Sequence, residues 1–283
     1  MPELPEVEVI RRFLLHQIGL SFTDVKILNS KSFWGDPQKL IGRSIISISR
    51  IGKHLTLHLS DNLVLLFHFK MTGQLVYLHQ SKTILGHPTP NLNQAPLPNK
   101  STRVIFTFSD ASKIFFNDQR KFGWIKLLTQ SDLHREQQSL GFDLLDPKFT
   151  PKYFYNQLQT STRPVKTVLL DQTKFAGIGN IYANDALFLS HIHPLTPSNQ
   201  VSLNEAKKLH SNILLLIRES IDHGGSTARD NKYIRPDGSY GSHQYHFRVY
   251  QKENEPCPRC QTPIKRQKIN GRSSFFCPVC QKL

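Results

Sequence analysis

Residues 54–69 read HLTLHLSDNLVLLFHF, and this stretch decides the fold class. Through 54–59 apolar and polar side chains alternate, a period of two that places every second residue on one face of a β-strand. Ser60, Asp61 and Asn62 then supply turn chemistry before a second strand-like run. Outward from it, similar runs fill the chain from about Ile45 to Leu128, among them RVIFTFS at 103–109 and KIFF at 113–116, with SDAS at 109–112 as a further turn. Strands of this kind bury one face of each sheet against another layer, so a β-rich two-layer sandwich is expected. At 86–101 the body is interrupted by GHPTPNLNQAPLPNKS, which has no periodicity and is expected to be a surface excursion.

On either side the period changes. Pro5 suits the first turn of a helix, and Val7, Ile10 and Leu14 then fall on one helical stripe. Glu3, Glu6 and Glu8 lie before or near its first turn, where acid complements the helix dipole. From about Pro151 to His223 helical spacing returns, in VKTVLLDQ (165–172), NIYANDALFL (180–189) and NEAKKLHSNILLLIRESI (204–221). The break between the first two, KFAGIGN (174–180), has Gly177 and Gly179 where a Cβ would block close backbone approach. The stretch 228–247, ARDNKYIRPDGSYGSHQYHF, has no apolar period and the length of a functional loop.

Charge bounds the partners. Lys and Arg number 36 against 21 Asp and Glu, a formal +15 with a pI near 9.8, which implies nucleic acid or an anionic membrane. The longest aliphatic or aromatic runs, LVLLF and ILLLI, fall far short of the roughly 20 residues a span needs, and the acidic start is the wrong sign for a signal peptide. No membrane partner and a cytoplasmic location are therefore expected. All four cysteines come late, as the pairs Cys257/Cys260 and Cys277/Cys280 with 16 residues between the pairs. In a reducing compartment this spacing reads as one tetrahedral zinc site, in preference to a disulfide pair or a redox motif.

Acid at the start of so basic a chain asks for a reason, and Pro2 supplies one. Once exposed as the N-terminus, a proline is a secondary amine with a pKa near roughly 7.7–8.0, able to attack an aldehyde-like sugar carbon and form an iminium. Glu3 beside it is placed to move protons during ring opening. This chemistry requires removal of Met1.

The motifs PELPEVE, GKHL, MTGQL, DQRKFG, AGIGNIYANDALF, DGSYG and GRSSFFCPVCQK occur in that order along nearly the whole chain. Together they resemble the formamidopyrimidine-DNA glycosylase family. The resemblance implies an α+β multidomain protein: an N-terminal β-sandwich with flanking helices over 1–130, a helix-two-turns-helix domain over 131–227, and a lesion loop with a C-terminal four-cysteine zinc-finger β-hairpin over 228–283. It implies a monomeric, nucleoid-associated base-excision-repair enzyme that removes 8-oxoguanine and formamidopyrimidines from duplex DNA and then cuts the strand by β,δ-elimination. Residue by residue, Pro2 is the implied nucleophile, Glu3 the proton donor and Lys53 the phosphate-gripping lysine that assists β-elimination. Met71, Arg120 and Phe122 match the wedge that fills the gap left by a flipped base.

Lys166 and the helix start at Asn180 match phosphate contacts, since a helix N-terminus offers free N–H groups. Arg272 follows Asn270-Gly271, a type I′ hairpin signal, and matches an arginine with a part in δ-elimination. The four cysteines would hold one zinc ion in a structural role. The chain departs from the family pattern at Ser101 and Ser161, which replace usual DNA contacts, at Gln119 in place of a frequent proline, and at Asn254 in place of a usual glycine. Two rivals differ in class. An endonuclease VIII-like glycosylase for oxidised pyrimidines usually begins Pro-Glu-Gly-Pro, where Leu4 stands here, and a non-catalytic zinc-ribbon nucleic-acid-binding protein leaves Pro2, Glu3 and the wedge unexplained.

Overall fold

In a computed structural model, which describes residues 2–79, 82–84 (backbone only), 97–226 and 241–283, contacts divide the chain into two compact units. One is Met1–Ser139 with Ile221–Gln244, the other Leu140–Ser220 with Tyr245–Leu283. The expectations placed on Met1, on 86–96 and on 228–240 lie outside the described residues.

The first unit opens with α1 (Leu4–Leu14), then β1 (Phe22–Ile27), β2 (Phe33–Trp34), β3 (Ile45–Ile51), β4 (His54–Leu59), β5 (Leu63–His68) and β6 (Gly73–His79). It continues with β7 (Lys82–Ile84), β8 (Thr102–Phe108), β9 (Lys113–Asp118), β10 (Trp124–Thr129) and α2 (Gln130–Gln137). The acid at the start of α1 caps it: the Glu3 N–H donates to the Glu6 carboxylate at 2.8 Å, and Glu3 accepts in return from the backbone of Glu6. Such a reciprocal cap stabilises a helix by about 1 kcal/mol.

The strands form two five-stranded sheets, in the orders β1-β8-β9-β6-β7 and β2-β10-β5-β4-β3. Residues 54–69 are the hairpin β4–β5, with Leu57 opposite Leu65, and Asp61 and Asn62 turn it in left-handed conformations that these two residue types tolerate. Leu55, Leu57, Leu65, Phe67, Phe106, Phe116 and Ile125 share one buried core with Val7, Ile10 and Leu14 of α1.

Two details depart from simple alternation. Val64 and Leu66, on the other face of β5, are buried as well, because Leu133 of α2 packs over them; LVLLF is apolar throughout for that reason. The sandwich also begins earlier than Ile45: β1 pairs with β8 at a sheet edge, where of FTDVKI only Phe22 is fully buried and alternation is faint. The end of the 86–101 stretch is packed rather than a surface excursion. Leu97 lies against Val76, Ile105 and Phe115, and Ser101 is buried with its hydroxyl donating to Asn99 Oδ1 at 2.6 Å.

The second unit contains β11 (Phe142–Asp143), α3 (Pro151–Gln159), α4 (Val165–Leu169), β12 (Phe175–Ala176), α5 (Asn180–Ser190), nearly all of α6 (Leu203–Asp222), β13 (Lys265–Ile269) and β14 (Arg272–Phe276). Phe149, Phe154 and Phe175 meet edge-on or tilted around the stacked ring of His210, and Leu209, Ile213, Leu216 and Ile217 of α6 are fully buried. Gly177 takes a positive φ of 119° that favours glycine, whereas Gly179 is extended and serves as the N-cap of α5, which starts at Asn180 as its sequence implied.

Candidate active site and nucleic-acid interface

In the first unit Pro2 is buried and Glu3 is 2% exposed at the cap of α1. Lys53 sits half-buried in a two-residue turn between β3 and β4, closed by the pair Ile51–His54, in which Gly52 takes a φ of +57°. Met71 lies in the turn from β5 to β6, and Arg120 and Phe122 in the turn from β9 to β10. Phe122 is 55% exposed, an outlay of apolar surface that no core requires, and the Arg120 guanidinium lies 4.9 Å from its ring centroid.

Asp118 joins these two turns. Fully buried, it accepts from the Gly123 N–H at 2.6 Å, from the Arg120 N–H at 3.2 Å and from the Thr72 hydroxyl, which itself accepts from the Arg120 N–H at 2.9 Å. The turn that carries Met71 is thereby tied to the turn that carries Arg120 and Phe122 by a carboxylate that sequence patterning does not single out; DQRKFG contains it, but two of its three partners are backbone N–H groups. The glycines of both motifs allow the closure. A Cβ at Gly73 would stand 2.4 Å from the Phe69 carbonyl oxygen, and one at Gly123 2.9 Å from the Phe116 ring.

Beneath the Lys53 and Met71 turns, His54 and His68 face each other across β4 and β5 with ring centroids 4.9 Å apart, and both rings contact Trp124. Burial, reinforced by the charge of Lys70, lowers the pKa of His54 to about 4, and burial with His54, Lys70 and Lys53 lowers that of His68 to about 2. Both imidazoles are therefore neutral at pH 7, and His68 Nδ1 accepts the Lys70 N–H at 3.0 Å.

Glu6 has a second task besides the cap: its carboxylate accepts from the Ser226 N–H at 2.9 Å and hydroxyl at 3.1 Å. The Ser242 N–H reaches the His223 carbonyl at 3.0 Å and the His243 N–H the Gly225 carbonyl at 3.2 Å. Residues 223–226 and 241–243 are thus joined where α1 begins.

In the second unit Lys166 is 1% exposed, and its ammonium donates to the Ser273 carbonyl and the Ser274 hydroxyl, each at 2.7 Å. Asn180 Nδ2 donates to the same Ser273 carbonyl at 3.1 Å, and Asn184 Oδ1 accepts from the Phe275 N–H at 2.8 Å. These bonds dock β14 on α4 and α5. The Asn-Gly turn is as its sequence implied, with positive φ at Asn270 and Gly271, and Arg272 is exposed immediately after it. A cleft of about 330 Å³ is lined by Arg163, Lys166, Thr167, Asp171, Asn270 and Arg272 among others. Ser161 Oγ lies 3.2 Å from the Arg163 N–H, so the serine at this position supports a cation on the same cleft. Asn254 takes a φ of +66°, a left-handed conformation that asparagine adopts more readily than most non-glycine residues.

Cys257, Cys260, Cys277 and Cys280 are unbridged and their Sγ atoms all lie within 4.8 Å of one another. The separations, 3.9 Å for Cys257–Cys280 and 3.4 Å for Cys260–Cys277 and Cys260–Cys280, are near the edge of a tetrahedron with Zn–S bonds of about 2.3 Å. The residues therefore fit a zinc ion. Arg259, within the first pair, donates to the Phe188 carbonyl at 2.8 Å and the Leu189 carbonyl at 3.2 Å, fastening the knuckle to the last turn of α5. Asp185, another residue without a sequence signal, accepts the N–H groups of Arg248, Val249 and Tyr250. Burial pushes its pKa up against those three donors.

Residues 1–125 match the formamidopyrimidine-DNA glycosylase N-terminal domain, 140–232 its H2TH domain, and 254–283 the zinc finger found in FPG and IleRS. A formamidopyrimidine-DNA glycosylase of Pelotomaculum thermopropionicum is 36% identical over 291 residues, covering all of both chains. The crystal structure of MutM (Fpg) from Thermus thermophilus superposes with a TM-score of 0.86 at 33% identity, covering 99% of this chain and 98% of that one. Lactococcus lactis Fpg, 31% identical with full coverage of both chains, matches in complexes with abasic-site DNA (TM-score 0.87), with Fapy-dG DNA as a point mutant (0.87) and with oxidised-pyrimidine DNA (0.86). The chain belongs to the formamidopyrimidine-DNA glycosylase family. Among the described residues no helix is long and apolar enough to cross a membrane.

Proposed function

We propose that the protein is a bifunctional DNA glycosylase and AP lyase that excises oxidised purines, 8-oxoguanine and formamidopyrimidines, from duplex DNA. The observation that carries this reading is the buried Pro2–Glu3 pair at the cap of α1, in the same unit as the joined turns that present Met71, Arg120 and Phe122. The Pro2 amine, freed of Met1, attacks the anomeric carbon of the damaged nucleotide. The glycosidic bond breaks with its electron pair on the base, which takes a proton at the leaving nitrogen. Glu3 takes the proton that the attacking Pro2 nitrogen sheds and delivers it to the ring oxygen as the C1′–O4′ bond breaks, leaving an iminium on Pro2. The iminium acidifies the neighbouring C–H; loss of that proton expels the 3′-phosphate, and a second elimination expels the 5′-phosphate. Lys53 and Arg272 neutralise the phosphates that leave.

Met71 and Phe122 occupy the space of the flipped base, and Arg120 hydrogen-bonds the widowed partner through its planar set of donors. Lys166 and Asn180 serve the backbone grip. One zinc ion per chain, held by Cys257, Cys260, Cys277 and Cys280, is structural, because four thiolates leave no open position. Residues 1–130, 131–227 and 228–283 act as catalytic, DNA-gripping and lesion-loop/zinc-finger parts of a monomer.

Borohydride trapping on an 8-oxoguanine:cytosine duplex tests the reading, with mass spectrometry of the linked peptide. A covalent adduct on Pro2 is expected. Processed, zinc-loaded protein that binds the duplex but yields neither adduct nor free base would overturn it. A parallel duplex with an oxidised pyrimidine is included because the Lactococcus lactis relative was crystallised on such DNA; faster turnover there would assign the pyrimidine preference instead.

A further inference from the structure

We propose that Arg50 is a positioning residue for Lys53, held to α1 by Glu8. Arg50 lies on β3 with its side chain 5% exposed, and its Nε donates to Glu8 Oε2 at 3.2 Å while Nη1 donates to the Gly52 carbonyl at 3.0 Å. Gly52 and Lys53 form the two-residue turn after β3, so the guanidinium grips the peptide plane that leads into Lys53. Holding that plane sets the backbone direction from which the Lys53 side chain leaves.

The other end of the link is the helix that begins at the nucleophile. Glu8 sits on α1, five residues beyond the Glu3 cap, with its side chain 7% exposed. Arg11 donates to it at 2.9 and 2.8 Å and Arg12 at 3.0 Å, so its carboxylate is surrounded by three guanidinium groups. Burial alone would raise its pKa, but the hydrogen bonds and charges of Arg11, Arg12 and Arg50 hold it at about 2. Glu8 stays an anion throughout the working range. α1 is thus tied to the Lys53 turn by a charge pair rather than only by the apolar stripe of Val7, Ile10 and Leu14.

Stability alone does not call for such a pair. Desolvating two charges largely cancels their attraction, and an apolar pair of the same volume would hold α1 to β3 as well or better. What the guanidinium adds is direction: its planar fork serves a carboxylate and a carbonyl at once, which neither lysine nor an aliphatic side chain reproduces. The arrangement holds the amine end of α1 and the lysine in register while both must meet one nucleotide.

The inference rests on the roles proposed for Pro2 and Lys53, and a double-mutant cycle separates the two questions. Strand cleavage of an abasic-site duplex is measured in single turnover for wild type, Arg50→Met, Lys53→Ala and the double variant, with binding to an uncleavable tetrahydrofuran duplex and thermal unfolding as controls. If Arg50 acts through Lys53, Arg50→Met slows cleavage by about tenfold or more in the wild-type background and by less than about twofold when Lys53 is absent. Binding of the tetrahydrofuran duplex then stays within about threefold, and Arg50→Lys recovers only part of the rate. Equal slowing in both backgrounds, or a lower melting temperature with an unchanged rate, overturns the inference. Glu8→Gln, which keeps Arg11 and Arg12 in contact with the helix, runs the same cycle should Arg50→Met fail to fold. Failure of the underlying site reading would look different: wild type itself would form no Pro2 adduct.

Discussion

The ammonium of Lys166 is bonded to the Ser273 carbonyl at 2.7 Å, inside the protein and away from solvent. A lysine expected to hold DNA phosphate thus also holds β14, the strand that begins with Arg272. Replacing it by methionine leaves the Ser273 carbonyl one donor short and the Ser274 hydroxyl without its partner, a cost of about 1–3 kcal/mol. Lys166→Met is expected to lower the melting temperature and to weaken DNA binding together. An unchanged melting temperature, with only the salt dependence of binding reduced by about one phosphate, would assign the ammonium to DNA instead.

Asp118 makes a second such test. Its carboxylate accepts from Gly123 and Arg120 in one turn and Thr72 in the other. Loss of charge-assisted bonds of this kind costs about 1.5–3 kcal/mol. Asp118→Asn should therefore destabilise the first unit in urea by that order and speed hydrogen exchange at the Gly123 amide. An amide that stays protected would show that the turns hold without the charge.

Acid should unfold the protein in two stages. His54 and His68 stay neutral in the fold down to about pH 4 and 2, whereas unfolded histidines take a proton near pH 6.5. The unfolded state therefore binds more protons below pH 6.5, and stability falls from there downward by up to about 1.4 kcal/mol per pH unit for each group. Glu8 adds a second loss, beginning near its unfolded value of 4.5 and ending near 2. Urea unfolding between pH 7.5 and 4.5 should show the first limb, and His54→Gln should flatten it. An equal slope in that variant would rule out His54 as a source.

Metal removal should act on the second unit. Cys257 and Cys277 are part of a small core with Phe188, Val249, Ile264 and Phe275, too few side chains to hold a hairpin without the ion. Structural zinc sites contribute apparent free energies of about 10–16 kcal/mol, so chelation or Cys260→Ser is expected to release β13 and β14 and abolish DNA binding. Native mass spectrometry should show one zinc per chain before chelation. Full binding by metal-free protein would contradict the structural role.

How much of this was legible beforehand depended on the range of the interaction. Period two revealed the strands within 54–69 because each strand reports its own burial, and the Asn270-Gly271 turn is a local preference of the backbone. β1 escaped because an edge strand with one buried residue hardly alternates, and the two-sided burial of β5 waited on α2, some 65 residues later. The cysteine cluster was readable from a spacing that a metal needs, and the family from motifs that follow one another along nearly the whole chain. Asp118, Asp185 and Arg50 were not. Each acts at least in part on main-chain groups, which every residue carries, so no spacing of side chains announces them.

The joined ends of the stretch between Ser226 and Gly241 bear on how the protein can change. Ser226 is fastened to Glu6, and Ser242 and His243 to the carbonyls of His223 and Gly225, so the two ends of that stretch are held together at the start of α1. Lengthening a closed segment is thermodynamically mild, about 0.6 kcal/mol per doubling. A change in the length of that stretch is therefore tolerable in principle, since the same Glu6 carboxylate that completes the cap of α1 also anchors Ser226 at its near end.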